Sequence, residues 1–107
     1  MSKFDLANLQ QYEQIFGREK MQTLWAEFVS DATAKTAEVE SRDRESQHLA
    51  YHSLRSSSQV FGMSAFAQVC TQREEQILAG TEVSQSEAES DRKLLAESMA
   101  EVERYLA

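Results

Sequence analysis

The sequence predicts an all-α fold, an antiparallel four-helix bundle preceded by a short extra N-terminal helix. Three observations carry that prediction. The chain of 107 residues has no proline and only three glycines, so almost nothing in it interrupts a helix. Apolar residues make up 41% of it, enough to pack a core. They recur at steps of three and four, the spacing that keeps side chains on one face of a 3.6-residue turn. The length suits one compact domain over residues 1–107 and is too short for two of ordinary size.

In the first helix Phe4, Leu6, Leu9 and the Ile15, Phe16 pair line one side, with Asp5 as cap and Gly17 as stop. The second is long and amphipathic, its stripe running Met21, Leu24, Trp25, Phe28, Ala32, Thr36 and Val39, and it ends in the polar stretch 40–45. A third helix carries Ala50, Leu54 and Phe61, stops at Gly62 and holds the two histidines. Phe66, Val69, Cys70, Arg73 and Ile77 mark the fourth, from a cap at Ser64 to a stop at Gly80. After a loop over 80–84 the fifth opens on a capping box, Ser84 with Glu87 or Ser86 with Glu89, followed by Ala88, Leu95, Met99, Val102 and Leu106. Four long helices with short connections imply antiparallel neighbours. Trp25, Phe28, Leu54, Phe61 and Met99 read as core, since a stripe of this kind is seldom a cofactor box.

The formal net charge of −7 argues against nucleic acid as a partner, because phosphate backbones are held by Lys and Arg clusters that are missing here. A single cysteine cannot close an internal disulfide, and in its core stripe Cys70 reads as a small buried hydrophobe. No signal-like apolar run opens the chain and no 18 consecutive apolar residues occur, so a soluble, cytoplasmic protein with no membrane contact is expected. Each helix has one apolar stripe, which favours a monomer.

The chemistry lies in the third helix. On a helical wheel Ala50, Leu54 and Phe61 fall at about 160°, 200° and 180° from His52, so its imidazole points away from the core. His48, Arg55, Ser56 and Gln59 share its face within about 60°, a polar patch suited to an anionic group. A solvated imidazole is mostly neutral at cellular pH and keeps one ring nitrogen with a free lone pair, which makes phosphorylation on nitrogen chemically accessible. Arg55, one turn along, can donate to phosphoryl oxygens, and Ser56 is small enough to leave the ring unobstructed. Gln59 is a further polar contact on that face.

These residues resemble the histidine-containing phosphotransfer (HPt) family, whose signature runs His-x-Leu-Lys-Gly-Ser/Ala, then Gly, Leu, Cys and Glu. Here it reads His52, Leu54, Arg55, Ser56, Ser57, Ser58, Gly62, Phe66, Cys70 and Glu74. Upstream, Phe16-Gly17-Arg18-Glu19 and the Phe28 helix are similar to the family's second helix, so the likeness covers nearly the whole chain. It departs in having Arg55 for Lys and Ser56 for Gly. The resemblance implies a phosphorelay phosphocarrier without autonomous kinase activity. A receiver domain of a response regulator or hybrid histidine kinase, carrying an aspartyl phosphate and a magnesium ion, would pass its phosphoryl group to Nε2 of His52, and a second receiver would take it off. In that scheme His52 is the phosphoacceptor, Arg55 the phosphoryl clamp, Ser56 the clearance residue, and Leu49, Val60 and Met63 belong to the docking area. No cofactor resides on this chain.

Other readings are weaker. His48 and His52 have the four-residue spacing of a shared metal, with Glu45 as a third ligand, but no further His or Cys cluster completes a site. His48 is followed at three and four residues by Tyr51 and His52, not by a cation and a small residue, and reads as a bystander. Ser57 and Ser58 turn toward the interior without an acidic partner for hydrolysis. No glycine-rich phosphate loop is present, so a kinase is excluded. The alternative in a different class is a helical adaptor that binds a receiver or histidine kinase without accepting phosphate.

Overall fold

Short polar caps and left-handed turns divide the described residues into five α-helices. The structure is a computed structural model and describes residues 4–107. Helix α1 spans Leu6–Phe16, α2 Arg18–Thr36, α3 Arg44–Val60, α4 Ser64–Leu78 and α5 Gln85–Leu106, with a 3₁₀ turn at Val39–Ser41 between α2 and α3. Among the described residues there is no strand, and no helix is long and apolar enough to cross a membrane.

The ends of α1 are those expected, with the Asp5 side chain accepting from the Asn8 amide and Gly17 closing the helix at φ +84°. Its apolar face is not. Only Leu9 is buried, Phe4 precedes the helix, and Leu6, Ile15 and Phe16 are 40%, 68% and 45% exposed. A short helix at the edge of the fold has a neighbour on one side only, and Phe16 stacks on Tyr12 at the surface instead of entering the core.

In α2, Met21, Trp25, Phe28, Ala32 and Thr36 are buried as the stripe requires, but Val39 is not part of that helix. Glu38 takes the left-handed conformation, which breaks the helix and lets the 3₁₀ turn bury Val39 separately. Helix α3 begins earlier than its polar N-terminal sequence suggests, because Asp43 accepts from the Ser46 amide at 2.8 Å and caps it. Ser64 is the first residue of α4 and not its cap: Met63 precedes it and makes no side-chain cap bond. The far end of α4 closes as a Schellman motif, with Gly80 N–H donating to Ile77 O and Thr81 N–H to Gln76 O, and Gly80 at φ +103°. At α5 the Ser84–Glu87 capping box forms in full.

Packing fixes how these helices meet. The closest pair is α3 and α4, α2 touches α3 and α5, and α5 also packs on α4. Trp25, Phe28 and Phe61 form an aromatic cluster with centroids 5.0 to 5.4 Å apart. Two buried polar side chains pair between elements. Gln47 donates to the carbonyls of Val39 and Val83 and accepts from the Val83 amide. Asp91, 2% exposed, accepts from the Tyr51 hydroxyl and, through both oxygens, from Nε and Nη2 of Arg73, tying α3, α4 and α5 together. Burial and the neighbouring Asp91 carboxylate push the Tyr51 hydroxyl well above its usual range, so it stays a donor.

Gly62 joins α3 to α4 and to the N-terminal segment. Its φ is +73°, its carbonyl accepts from the Asp5 amide at 2.6 Å, and a Cβ there would collide with the Asp5 carbonyl oxygen. Gly62→Ala therefore meets both backbone strain and a clash with main-chain atoms that cannot swing aside. We expect it to destabilise the fold by about 1–3 kcal/mol, seen as a lower urea midpoint at unchanged slope.

Candidate functional site

The site is built where α3 crosses α4. His52 projects from the solvent face of α3, opposite Ala50 and Leu54, which are buried, and its side chain is 56% exposed. Arg55 follows one turn later and is 32% exposed. Across from them, Glu74 of α4 stands on the stripe of Phe66, Cys70 and Ile77, so its carboxylate is carried to the helix interface with only 10% of the side chain exposed.

That carboxylate organises the other two residues. His52 Nδ1 lies 2.7 Å from Glu74 Oε1, and Arg55 Nε donates to Glu74 Oε2 at 2.6 Å. A carboxylate only accepts, so the bond to Oε1 assigns the ring proton to Nδ1. Nε2, on the outer edge of the ring, then keeps its lone pair. Arg55 Nη2 also stands 3.3 Å from Nδ1, but with Nδ1 protonated this is an approach of two donors, and the group that Arg55 holds is the carboxylate. A nearly buried anion is thus matched by one cation and one ring N–H.

Ser56 is exposed beside the ring, and Leu49 is 60% exposed on the same face. Gln59 is exposed two turns along, where it shares a surface hollow with Asp5, Asn8, Tyr12, Gly62 and Ser64, and its carbonyl accepts from the Asn8 side chain. It belongs to the contact with α1 and not to the cluster around Glu74. Val60 is half-buried and lines a hollow of about 430 Å³ with Tyr12, Phe16, Leu24, Phe28 and Phe61. Met63, expected at the surface as part of the docking area, is fully buried. The turn at Gly62 rotates it off the α3 wheel and into the core, where its amide bonds to Ser58 O.

His48 lies one turn before His52, half-buried, with its ring nearly parallel at 16° and centroids 6.0 Å apart. Among the described residues no three His, Cys, Asp or Glu side chains are grouped to hold a metal ion. Ser58 is buried and Ser57 half-buried. Cys70 is buried, and desolvation together with Asp91 and Glu74 pushes its thiol far above the usual range, so it is a poor nucleophile.

Sequence reasoning counted Glu74 as a signature residue and gave it no role. The available signal was a carboxylate four residues after Cys70 and three before Ile77, an acid at a core position of an amphipathic helix. No protein-family model, curated protein or solved structure matches the chain.

Proposed function

We propose that this chain is a histidine phosphocarrier of the HPt type, its four long helices acting as an antiparallel bundle with α1 as the extra N-terminal element. The observation that carries the reading is the bond from His52 Nδ1 to the nearly buried Glu74 on an otherwise exposed ring. An imidazole of no consequence on a helix surface has no need of a fixed tautomer. Here the proton is held inward and the nucleophilic lone pair outward.

In the proposed reaction the Nε2 lone pair attacks the phosphorus of an aspartyl phosphate on a receiver domain. The N–P bond forms as the P–O bond to the aspartate breaks, and the electron pair leaves on the aspartate carboxylate. No proton moves. The ring becomes a phosphoimidazolium still protonated at Nδ1, and Glu74 balances the new positive charge as it forms, the part an orienting carboxylate plays in a Ser-His-Asp triad. Arg55 acts first as a positioning residue, because its Nε–H holds the second oxygen of Glu74. Its terminal amino groups, one of them 3.3 Å from Nδ1 of the ring, are the clamp expected from the sequence once they swing toward the phosphoryl oxygens. Ser56 leaves the ring clear, and Leu49 with the Val60 edge supplies apolar surface for a flat partner. The phosphoryl group comes from another protein, and a receiver domain of a response regulator or hybrid kinase is the partner this chemistry fits.

The test is to mix the protein with a phosphorus-labelled phospho-receiver and follow the label through acid and base. Acid-labile, base-stable label on this chain within seconds to minutes supports the carrier. A stable complex without any movement of label supports a helical adaptor and overturns the carrier reading.

A further inference from the structure

His48 is half-buried one turn before His52 on the same side of α3, so a cation there is within electrostatic reach of whatever the exposed ring carries. The two rings are nearly parallel, 6.0 Å between centroids, and the helix holds them in step because residues four apart lie one above the other. We propose that His48, as imidazolium, is a second phosphoryl-binding residue that stabilises the phosphorylated form of His52. The inference rests on the phosphocarrier reading and extends it to a pH dependence of the loaded state.

The groups around His48 leave it available for this. On α3 its neighbours are Arg44 and Glu45 one turn earlier and His52 one turn later, while Tyr51 is turned inward to Asp91. From α4 the hollow beside it is lined by Ile77 and the 75% exposed Leu78, which carry no charge. Glu74 on α4 has one oxygen on His52 and the other on Arg55. Arg55 is thereby anchored on the inner side of the ring, toward Glu74, so a cation on the His48 side adds a contact that Arg55 does not duplicate. Loading adds two negative charges on the phosphoryl group and one positive charge on the ring, and that net negative charge against one positive charge at about 6 Å amounts to roughly two- to threefold between salt-screened and unscreened water. By reciprocity the phosphoryl group must favour the His48 imidazolium by the same factor. This coupling operates only below the pH at which that ring loses its proton.

The test uses the whole chain loaded chemically with potassium phosphoramidate, so that no partner protein is needed. Imidazole NMR signals of His48 are followed against pH before and after loading, with the site of modification read from the phosphorus spectrum. The His48 titration midpoint is expected to move up by about a quarter to half a unit on phosphorylation of His52. In parallel, loading rates are compared for wild type, His48→Gln and His48→Lys between pH 6 and 8. The ratio of wild type to His48→Gln should fall from about two- to threefold toward one across that range, while His48→Lys keeps its advantage throughout because its charge persists. A His52 that loads while the His48 midpoint stays still, or a His48→Lys variant as slow as His48→Gln, overturns this inference and leaves the carrier intact. Wild-type protein that takes no phosphoryl group on His52 overturns both.

Discussion

His52→Gln is expected to accept no phosphoryl group at all, whereas His48→Gln continues to accept one. In the transfer assay with a labelled phospho-receiver, the acid-labile label should be lost from the first variant to the limit of detection. An amide nitrogen has no lone pair available to phosphorus, and glutamine can still offer N–H to Glu74, so the substitution removes the nucleophile and keeps the neighbouring geometry. The fold should barely notice. With 56% of its side chain exposed, His52 contributes little packing, and a surface change of this kind stays within about 0.5 kcal/mol in stability. Complete loss of label with an unchanged melting curve is therefore a statement about chemistry. His48 lacks the feature that distinguishes His52, because the carboxylate of Glu74 already holds His52 and Arg55. Label that survives in His52→Gln and disappears in His48→Gln would reverse the assignment.

The contrast between those two histidines shows how much of the site was legible in the sequence. Which way His52 points follows from helical spacing alone, because its angle from Ala50 and Leu54 is a local quantity that tertiary packing leaves unchanged. The same holds for the Ser84–Glu87 box, whose two bonds lie within four residues. Readings failed where the deciding contact came from elsewhere in the chain. Ile15 and Phe16 have apolar spacing, yet no element covers them, and spacing says which residues share a face without saying what that face meets. Val39 and Met63 are displaced by left-handed residues next to them in sequence, Glu38 and Gly62, which end the wheel on which they were placed. Glu74 is 22 residues from His52 and reaches it only because α3 and α4 pack against each other. A carboxylate on a buried stripe is visible in sequence, but the partner that justifies it is not.

Glu74 consequently carries the second large effect. Glu74→Ala removes the acceptor for Nδ1–H, and the neutral ring is then free to place its proton on Nε2, where it blocks attack. It also withdraws the negative charge that would balance the phosphoimidazolium as the N–P bond forms. Losing an orienting carboxylate of this kind slows transfer by about 10- to 100-fold, measured as the single-turnover rate from a phospho-receiver under saturating partner. Glu74→Gln separates the two contributions. Its amide oxygen can still accept from Nδ1, but its NH₂ faces the Nε–H of Arg55, donor against donor, and the compensating charge is gone. The tautomer is kept and the electrostatic share is lost, so its rate should fall between wild type and Glu74→Ala. Arg55→Ala tests the remaining link: if Arg55 acts chiefly by holding Glu74, the double variant Arg55→Ala/Glu74→Ala is no slower than Glu74→Ala alone. If instead the double variant loses a further factor equal to that of Arg55→Ala by itself, Arg55 works directly on the phosphoryl group. Transfer by Glu74→Ala at the wild-type rate would mean that the bond at 2.7 Å holds the ring without tuning it, and the physical basis for choosing this histidine would fall with it.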